Sequence, residues 1–189
     1  MSNINRQRYP YNMNNNPYDS NKNNKDLEFE YPSYRRRPLN NARDTERKSR
    51  DYGPNPFVVN INEATKRNNN FRTALWTGNH LQLTLMSIPV GGEIGLERHP
   101  DLDQFIRLEE GQGVVKMGDR KDRLDFQENV YDDFAFIIPA GTWHNLINTG
   151  NIPIKLYSIY APPQHPHGTV HRTKEDAEAA ETSHGYNYR

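Results

Sequence analysis

Cysteine is absent from the 189-residue sequence, which excludes a disulfide framework, a thiolate metal site and thiol catalysis. Net charge is absent as well, since 24 Lys and Arg balance 24 Asp and Glu, so nucleic-acid binding driven by bulk charge is not expected. No apolar run approaches the roughly 20 residues that span a bilayer. The N-terminal Met-Ser-Asn-Ile-Asn-Arg lacks the apolar segment of a secretory signal. These absences predict a soluble cytoplasmic protein with no nucleic-acid or membrane partner.

Hydrophobic residues make up only 33% of the chain, and the deficit is concentrated at the N-terminal end. The first 24 residues hold nine asparagines, and residues 1–56 carry 11 Lys and Arg against 7 Asp and Glu. Segments this polar cannot bury enough apolar surface to offset the entropy of ordering them. We therefore predict that residues 1–55 form a disordered or partner-dependent Asn/Tyr/Arg-rich tail.

Residues 56–163 contain short segments of strand character, separated by links rich in Gly, Pro and Asp. In one segment Leu81, Leu83 and Leu85 alternate with other residues, which is the period of two that a half-buried strand shows. Further segments lie at 57–61, 93–99, 104–110, 113–117, 123–130, 134–138, 142–148 and 154–161, and residues 62–67 have the pattern of one capped helical turn. About eight to ten short strands without a long helical pattern predict an antiparallel all-β sandwich or barrel.

Residues 164–189 are predicted to be a C-terminal extension, because the strand pattern stops before them. Thr173 and Asp176 have the spacing of a capping box and precede an Ala- and Glu-rich run, which predicts a short helix. Three histidines precede this helix: His165, His167 and His171. Their spacing would permit adventitious metal binding, but we expect the segment to pack back across the barrel or across a dimer mate.

Two stretches place polar side chains on neighbouring strands. Glu97 and His99 are two residues apart in a predicted strand, so their side chains project to the same side. The turn that follows brings the next strand back alongside, and Gln104 at its start returns to that side. In the second stretch a Pro-x-Gly turn leads into a strand on which His144 and Asn148 share one face.

The second stretch resembles the end of the second motif of the cupin superfamily, which reads Pro-x-Gly-x-x-His-x-x-x-Asn. Pro139, Gly141, His144 and Asn148 match this motif in full. The two motifs together are specific for the fold, whereas either alone is a weak signal. The resemblance covers residues 75–163 and implies a small jelly-roll barrel that is commonly dimeric.

The first stretch resembles the first cupin motif, which is glycine, five residues, His-x-His, three or four residues, glutamate, six residues and glycine. Its frame runs from Gly91 to Gly111, with His99 in the place of the second histidine. Glu97 stands where the first histidine belongs, and Gln104 stands where the glutamate belongs. The carboxylate has in effect moved to the first position of the motif.

The resemblance implies that four side chains hold one divalent metal ion in the barrel mouth: Glu97, His99, Gln104 and His144. Two imidazoles and one carboxylate suit Zn, Mn, Fe or Ni. Gln104 would coordinate weakly through its amide oxygen, or bind a water held in the site. The alternative is a hydrogen-bonded polar cluster in a metal-free barrel, since buried polar groups require partners.

Cupins include isomerases, dioxygenases, decarboxylases and sugar binders, so the fold does not define the activity. The resemblance is loosely to the mannose-6-phosphate isomerase-like branch and implies a metal-dependent isomerase acting on a small molecule, such as a sugar phosphate. A dioxygenase is the less favoured enzyme, and no catalytic residue is assigned. The second hypothesis is a non-catalytic binding or structural cupin, carried by its Asn/Tyr-rich tail into an assembly such as a spore-coat-like layer.

Overall fold

Two antiparallel sheets form the barrel in the computed structural model, which describes residues 50–183. The strands are β1 (Arg72–Thr77), β2 (Gln82–Ile88), β3 (Glu97–Arg98), β4 (Asp103–Glu110), β5 (Gln112–Gly118), β6 (Phe126–Tyr131), β7 (Ala135–Ile138), β8 (Trp143–Asn148), β9 (Ile154–Ala161) and β10 (Val170–His171). The helices are α1 (Ile61–Arg67) and α2 (Lys174–Ser183). One sheet has the order β10-β1-β2-β9-β4-β7 and the other β3-β8-β5-β6. The predicted all-β barrel with a short C-terminal helix is confirmed.

Three local predictions differ from the structure. Residues 57–61 are not a strand, because Asn60 caps the start of α1 by accepting a hydrogen bond from the backbone of Glu63 (3.2 Å). The strand predicted at 93–99 is reduced to β3 and an isolated bridge at Glu93, since Gly95 between them has a φ of 108°, which breaks an extended run. β10 lies beyond the last predicted strand and pairs with β1.

The barrel interior is apolar at one end and polar at the other. On β2, β4 and β9 the inward side chains are polar toward one end of the barrel and apolar toward the other. The register aligns the polar positions of the three strands, since Thr84 pairs with Ser158, and Gln82 and Gln104 both pair with Tyr160. These five side chains, which we call the polar end of the barrel, are all buried. The apolar end is formed by residues of both sheets: Met86, Ile88, Ile106, Leu108, Val115, Leu146, Ile154 and Leu156.

Helix α2 begins with the predicted capping box. Thr173 Oγ1 accepts a hydrogen bond from the backbone of Asp176 (3.2 Å), and Asp176 accepts one from the backbone of Thr173 (3.2 Å). Lys174 donates to Glu93 (3.0 Å), and Ala177 is buried in the core. These contacts hold α2 against the barrel.

The predicted tail lies mostly at residues 1–49, outside the described residues. Its last part, residues 51–55, contacts the barrel through the buried side chain of Asp51. Asp51 accepts hydrogen bonds from Thr77 Oγ1 (2.6 Å) and from the backbone of Gly168 (3.0 Å) and Gly53 (3.0 Å). Burial alone would raise the pKa of Asp51, but these hydrogen bonds and the nearby His167 outweigh it and lower the pKa.

Within residues 50–183, no helix has both the length and the apolar character needed to cross a membrane.

Candidate metal centre

The pairing of β3 with β8 brings the two sequence motifs together. Glu97 lies opposite His144 in the register, and Arg98 lies opposite Trp143. Because side chains alternate along a strand, the first pair faces the barrel interior and the second faces outward. The guanidinium of Arg98 lies 5.4 Å from the centre of the Trp143 ring, so this tryptophan packs on the outer face.

The Pro-x-Gly turn holds His99 next to the start of the strand that carries His144. Thr142 donates a backbone hydrogen bond to Pro139 (3.1 Å), which closes the turn, and Gly141 has a φ of 79° that favours glycine. The backbone N–H of Gly141 donates to the carbonyl of His99 (2.7 Å). This bond ties the backbone of His99 to the start of the strand that carries His144.

One carboxylate oxygen lies close to two imidazole nitrogens. Glu97 Oε1 is 3.3 Å from Nε2 of His144 and 3.5 Å from Nε2 of His99. Ligand atoms of the three residues all lie within 4.8 Å of one another. His144 is 1% exposed and His99 is 6% exposed, so the two imidazoles are shielded from bulk water, whereas the Glu97 side chain is 16% exposed.

The orientation of His144 makes its inner nitrogen an acceptor in the neutral ring. Nδ1 lies 3.0 Å from the carbonyl oxygen of Thr142, so Nδ1 carries the proton and Nε2 presents a lone pair to Glu97. Two acceptors that face each other require a proton or a metal cation between them. A histidine that ligates a metal characteristically donates its other N–H to a carbonyl or carboxylate, and His144 meets this condition.

Glu97 remains an ionised carboxylate. Burial alone would raise its pKa, but the positive charges and N–H groups that His99 and His144 present when protonated outweigh burial and hold the pKa of Glu97 well below its usual value. Within residues 50–183, neither Glu97 Oε1 nor His144 Nε2 has a hydrogen-bond partner, although both are buried. Two imidazole nitrogens and one carboxylate oxygen fit a divalent transition metal.

Gln104 is buried at the polar end of the barrel, as expected from its place in the motif. Its amide nitrogen donates to Ser158 Oγ (2.9 Å). This bond orients the amide and leaves Oε1 without a hydrogen-bond partner in the described part of the chain. The side chain therefore offers a buried acceptor inside the barrel.

A cavity of about 310 Å³ opens beside the cluster. Glu97 and His99 line one part of its wall, and Arg72 and His165 line another. Residues of α2, among them Ala177, also line the cavity. The C-terminal extension therefore forms part of the pocket wall, which the sequence pattern did not predict.

His165 is held in this wall by Gln82. The Gln82 amide donates to the carbonyl of His165 (2.8 Å) and accepts from its backbone N–H (2.9 Å), which confirms that the segment packs back on the barrel. The His165 ring lies edge-on to Tyr160 (5.2 Å), which in turn lies edge-on to His99 (5.8 Å). Burial, followed by the charge of Arg72, lowers the pKa of His165 well below its usual value, so the ring is neutral at pH 7. The sequence feature that signals the contact between His165 and the barrel is Gln82, a polar residue at an inward position of its strand.

The fold is a jelly-roll barrel, and a cluster of side chains of the kinds that bind metal ions lies at its polar end. Comparisons with known proteins support this fold. A family model described as "Cupin domain" matches residues 84–160. YrkC of Bacillus subtilis is 71% identical over 132 residues, which cover 70% of this chain and 71% of YrkC. L612 of Acanthamoeba polyphaga mimivirus is 41% identical over 115 residues, which cover 60% of this chain and 70% of L612. The crystal structure of BH2720 from Bacillus halodurans has 71% identity and a TM-score of 0.68, covering 69% of this chain and 98% of that one. The chain belongs to the cupin superfamily.

Proposed function

We propose that this protein binds a divalent metal ion through Glu97, His99 and His144 and acts on a small molecule held in the adjacent cavity. The observation that carries the proposal is one carboxylate oxygen within 3.5 Å of two imidazole nitrogens, at the wall of a cavity of about 310 Å³. The ion is Zn, Mn, Fe or Ni, which all accept this donor set.

Each side chain has a distinct task in this proposal. Glu97 supplies the anionic ligand, and its lowered pKa keeps it ionised. The hydrogen bond to Thr142 orients His144 as a nitrogen ligand. Gln104 offers Oε1 as a weak ligand, or as an acceptor for a water in the site, because its nitrogen is engaged by Ser158.

We further propose an isomerase-like reaction on a sugar phosphate. A bound divalent ion supplies Lewis acidity that polarises a carbonyl oxygen. His165 takes a proton from the carbon next to the carbonyl and returns it to the former carbonyl carbon, as a general base and then a general acid. The proton of the hydroxyl on that neighbouring carbon passes to the former carbonyl oxygen, so that carbonyl and hydroxyl exchange places. Support for this role is that His165 lines the cavity and that its Nε2 is buried without a hydrogen-bond partner among residues 50–183.

Elemental analysis of the purified full chain tests the metal centre. Wild type should contain stoichiometric divalent metal, and His99→Ala and His144→Ala should lose it. His80→Ala is the matched control, because His80 is exposed in the connection between β1 and β2. Substoichiometric metal that is unchanged by the two cluster substitutions would refute the metal centre.

Turnover assays test the reaction. Hexose phosphates are supplied with Mn(II), Zn(II) or Fe(II), and oxygen consumption is followed in parallel. Isomerisation that is lost in His144→Ala and in His165→Gln supports the proposal, whereas oxygen-dependent turnover with Fe(II) indicates the dioxygenase instead. No turnover, together with sedimentation that changes when residues 1–49 are removed, favours the structural cupin in a spore-coat-like layer.

The oligomeric state and the location remain predictions. We expect a homodimer, as is common among cupins, and a cytoplasmic protein. Analytical ultracentrifugation of the full chain tests the first, and fractionation of cells followed by immunoblotting tests the second. A monomer at all concentrations examined would contradict the dimer.

A further inference from the structure

Arg72 is a buried cation in the wall of the cavity. It is 2% exposed, and it is the largest of the fully buried side chains in the described chain. Its Nε and Nη1 are buried and have no hydrogen-bond partner within residues 50–183. Buried charges are otherwise paired, because an unpaired ion loses its hydration without compensation. This arginine therefore requires an explanation.

A carboxylate of helix α2 lies close to Arg72. Glu181 Oε1 is 3.8 Å from Nη1 of Arg72, which is beyond hydrogen-bond distance. The Glu181 side chain is 42% exposed, so this ion pair is loose and partly solvated. A loose pair of this kind does not compensate fully for the burial of the guanidinium.

The backbone of Arg72 is fixed by the sheet. It pairs with Met86 of β2 on one side and with His171 of β10 on the other. The Arg72 guanidinium also lies over the ring of Phe71, 5.6 Å from its centre. Because β1 is held between two strands, the backbone of Arg72 stays in the cavity wall as long as the sheet is intact.

His165 lines the same cavity as Arg72 and Glu97, and the Tyr160 ring lies edge-on both to His165 (5.2 Å) and to His99 (5.8 Å). Burial is the largest influence on the pKa of His165 and of Tyr160, and the opposite charges of Arg72 and Glu97 also act on both residues. Burial and Arg72 together lower the pKa of His165 and of His171. Neutral imidazoles do not compete with Arg72 for an anion.

We propose that Arg72 binds the oxyanion group of a small organic anion, a carboxylate or a phosphate ester, whose other end reaches the metal centre. The part of this inference that involves the metal rests on the proposed function; the anion site at Arg72 does not. A guanidinium offers parallel N–H donors that match the two oxygens of such a group. The ligand replaces the loose contact with Glu181, so this carboxylate of α2 competes with the ligand.

Isothermal titration calorimetry of the full chain tests the site, with inorganic phosphate and malonate as probes and glucose as the uncharged control. Each titration is made with Zn-loaded protein and with EDTA-treated protein. Arg72→Lys should weaken oxyanion binding by at least about tenfold, the value of one charge-assisted hydrogen bond, and leave the metal content unchanged. Glu181→Gln should tighten it by about twofold to fivefold, because it removes a partly exposed competitor.

The outcomes separate this inference from the metal centre. Preference for phosphate supports a phosphate ester as the ligand, and preference for malonate supports an organic acid. Protein that takes up no Zn on loading but binds an oxyanion in an Arg72-dependent manner refutes the metal centre and supports the anion site. Absence of oxyanion binding in both arms, equal affinity in folded Arg72→Lys, or glucose binding as tight as phosphate overturns the inference. If Arg72→Lys does not fold, unchanged affinity in Glu181→Gln overturns it.

Discussion

Metal binding should stabilise the folded protein, because the ligand set exists only in the fold. Glu97 and His99 are neighbours in sequence, but His144 reaches them only when β3 pairs with β8. The unfolded chain therefore lacks the complete site, and the free energy of metal binding adds to the free energy of unfolding. The perturbation is addition of Zn(II) or Mn(II) to metal-free protein.

The expected size follows from mass action. At a free metal concentration 100 times Kd, one site stabilises the native state by about 2.7 kcal/mol. For a folded domain of this size, each kcal/mol raises Tm by about 4 °C, so a rise of about 10 °C is expected. His144→Ala leaves one imidazole and one carboxylate, and its Tm should change little on metal addition.

Thermal unfolding followed by circular dichroism measures this effect, with EDTA to reverse it. His80→Ala should show the same metal-dependent rise as wild type, because His80 is exposed and outside the cluster. An equal rise in His144→Ala would show that the metal binds elsewhere. No rise in wild type at saturating metal would refute the centre.

Three other substitutions test the framework of the site. Asp51→Asn should cost about 1 to 3 kcal/mol of unfolding free energy at pH 7. Because the pKa of Asp51 is lowered in the fold, its contribution to stability is complete above about pH 4 and is lost as pH falls through the folded-state pKa. A difference in unfolding free energy from wild type that does not depend on pH would contradict this role of the carboxylate. Asn148→Ala should lower the unfolding free energy measured in urea by about 3 kcal/mol, because the Asn148 side chain donates to three carbonyls and accepts from Gly150. Asn129→Ala, at an exposed position, should have almost no effect, and equal losses of unfolding free energy in the two variants would refute this explanation. Thr173→Ala should cost about 1 kcal/mol of helix stability and speed hydrogen exchange across α2, and unchanged exchange would show that the cap is dispensable.

Local sequence signals predicted several elements well. The segment predicted at 154–161 coincides with β9, and the capping box at Thr173 begins α2. These elements carry their own signals, namely strand periodicity in one case and a side-chain cap in the other. The strand predicted at 57–61 failed because Asn60 caps α1, and a cap was a stronger determinant than the Val-rich pattern.

The alternation around β2 predicted a strand but not which side faces inward. Gln82, Thr84 and Met86 are fully buried, whereas Leu81 is exposed and Leu83 is half-buried. A period of two assigns residues to two opposite faces of a strand but does not show which face points inward, because that depends on the neighbouring strands. The polar residues are inside because they form the polar end of the barrel.

The sequence by itself determined the two motifs and most of the strands, and spacing along a strand placed Glu97 and His99 on one face. That His144 joins them was implied by the resemblance of the motifs to the cupin pattern. Only the tertiary structure decided that Arg72 and His165 join their cavity. Arg72 lies in the first strand, and His165 lies in the extension after the barrel. Their proximity depends on sheet order and on the hydrogen bonds of Gln82, which act between residues far apart in sequence and leave no local pattern.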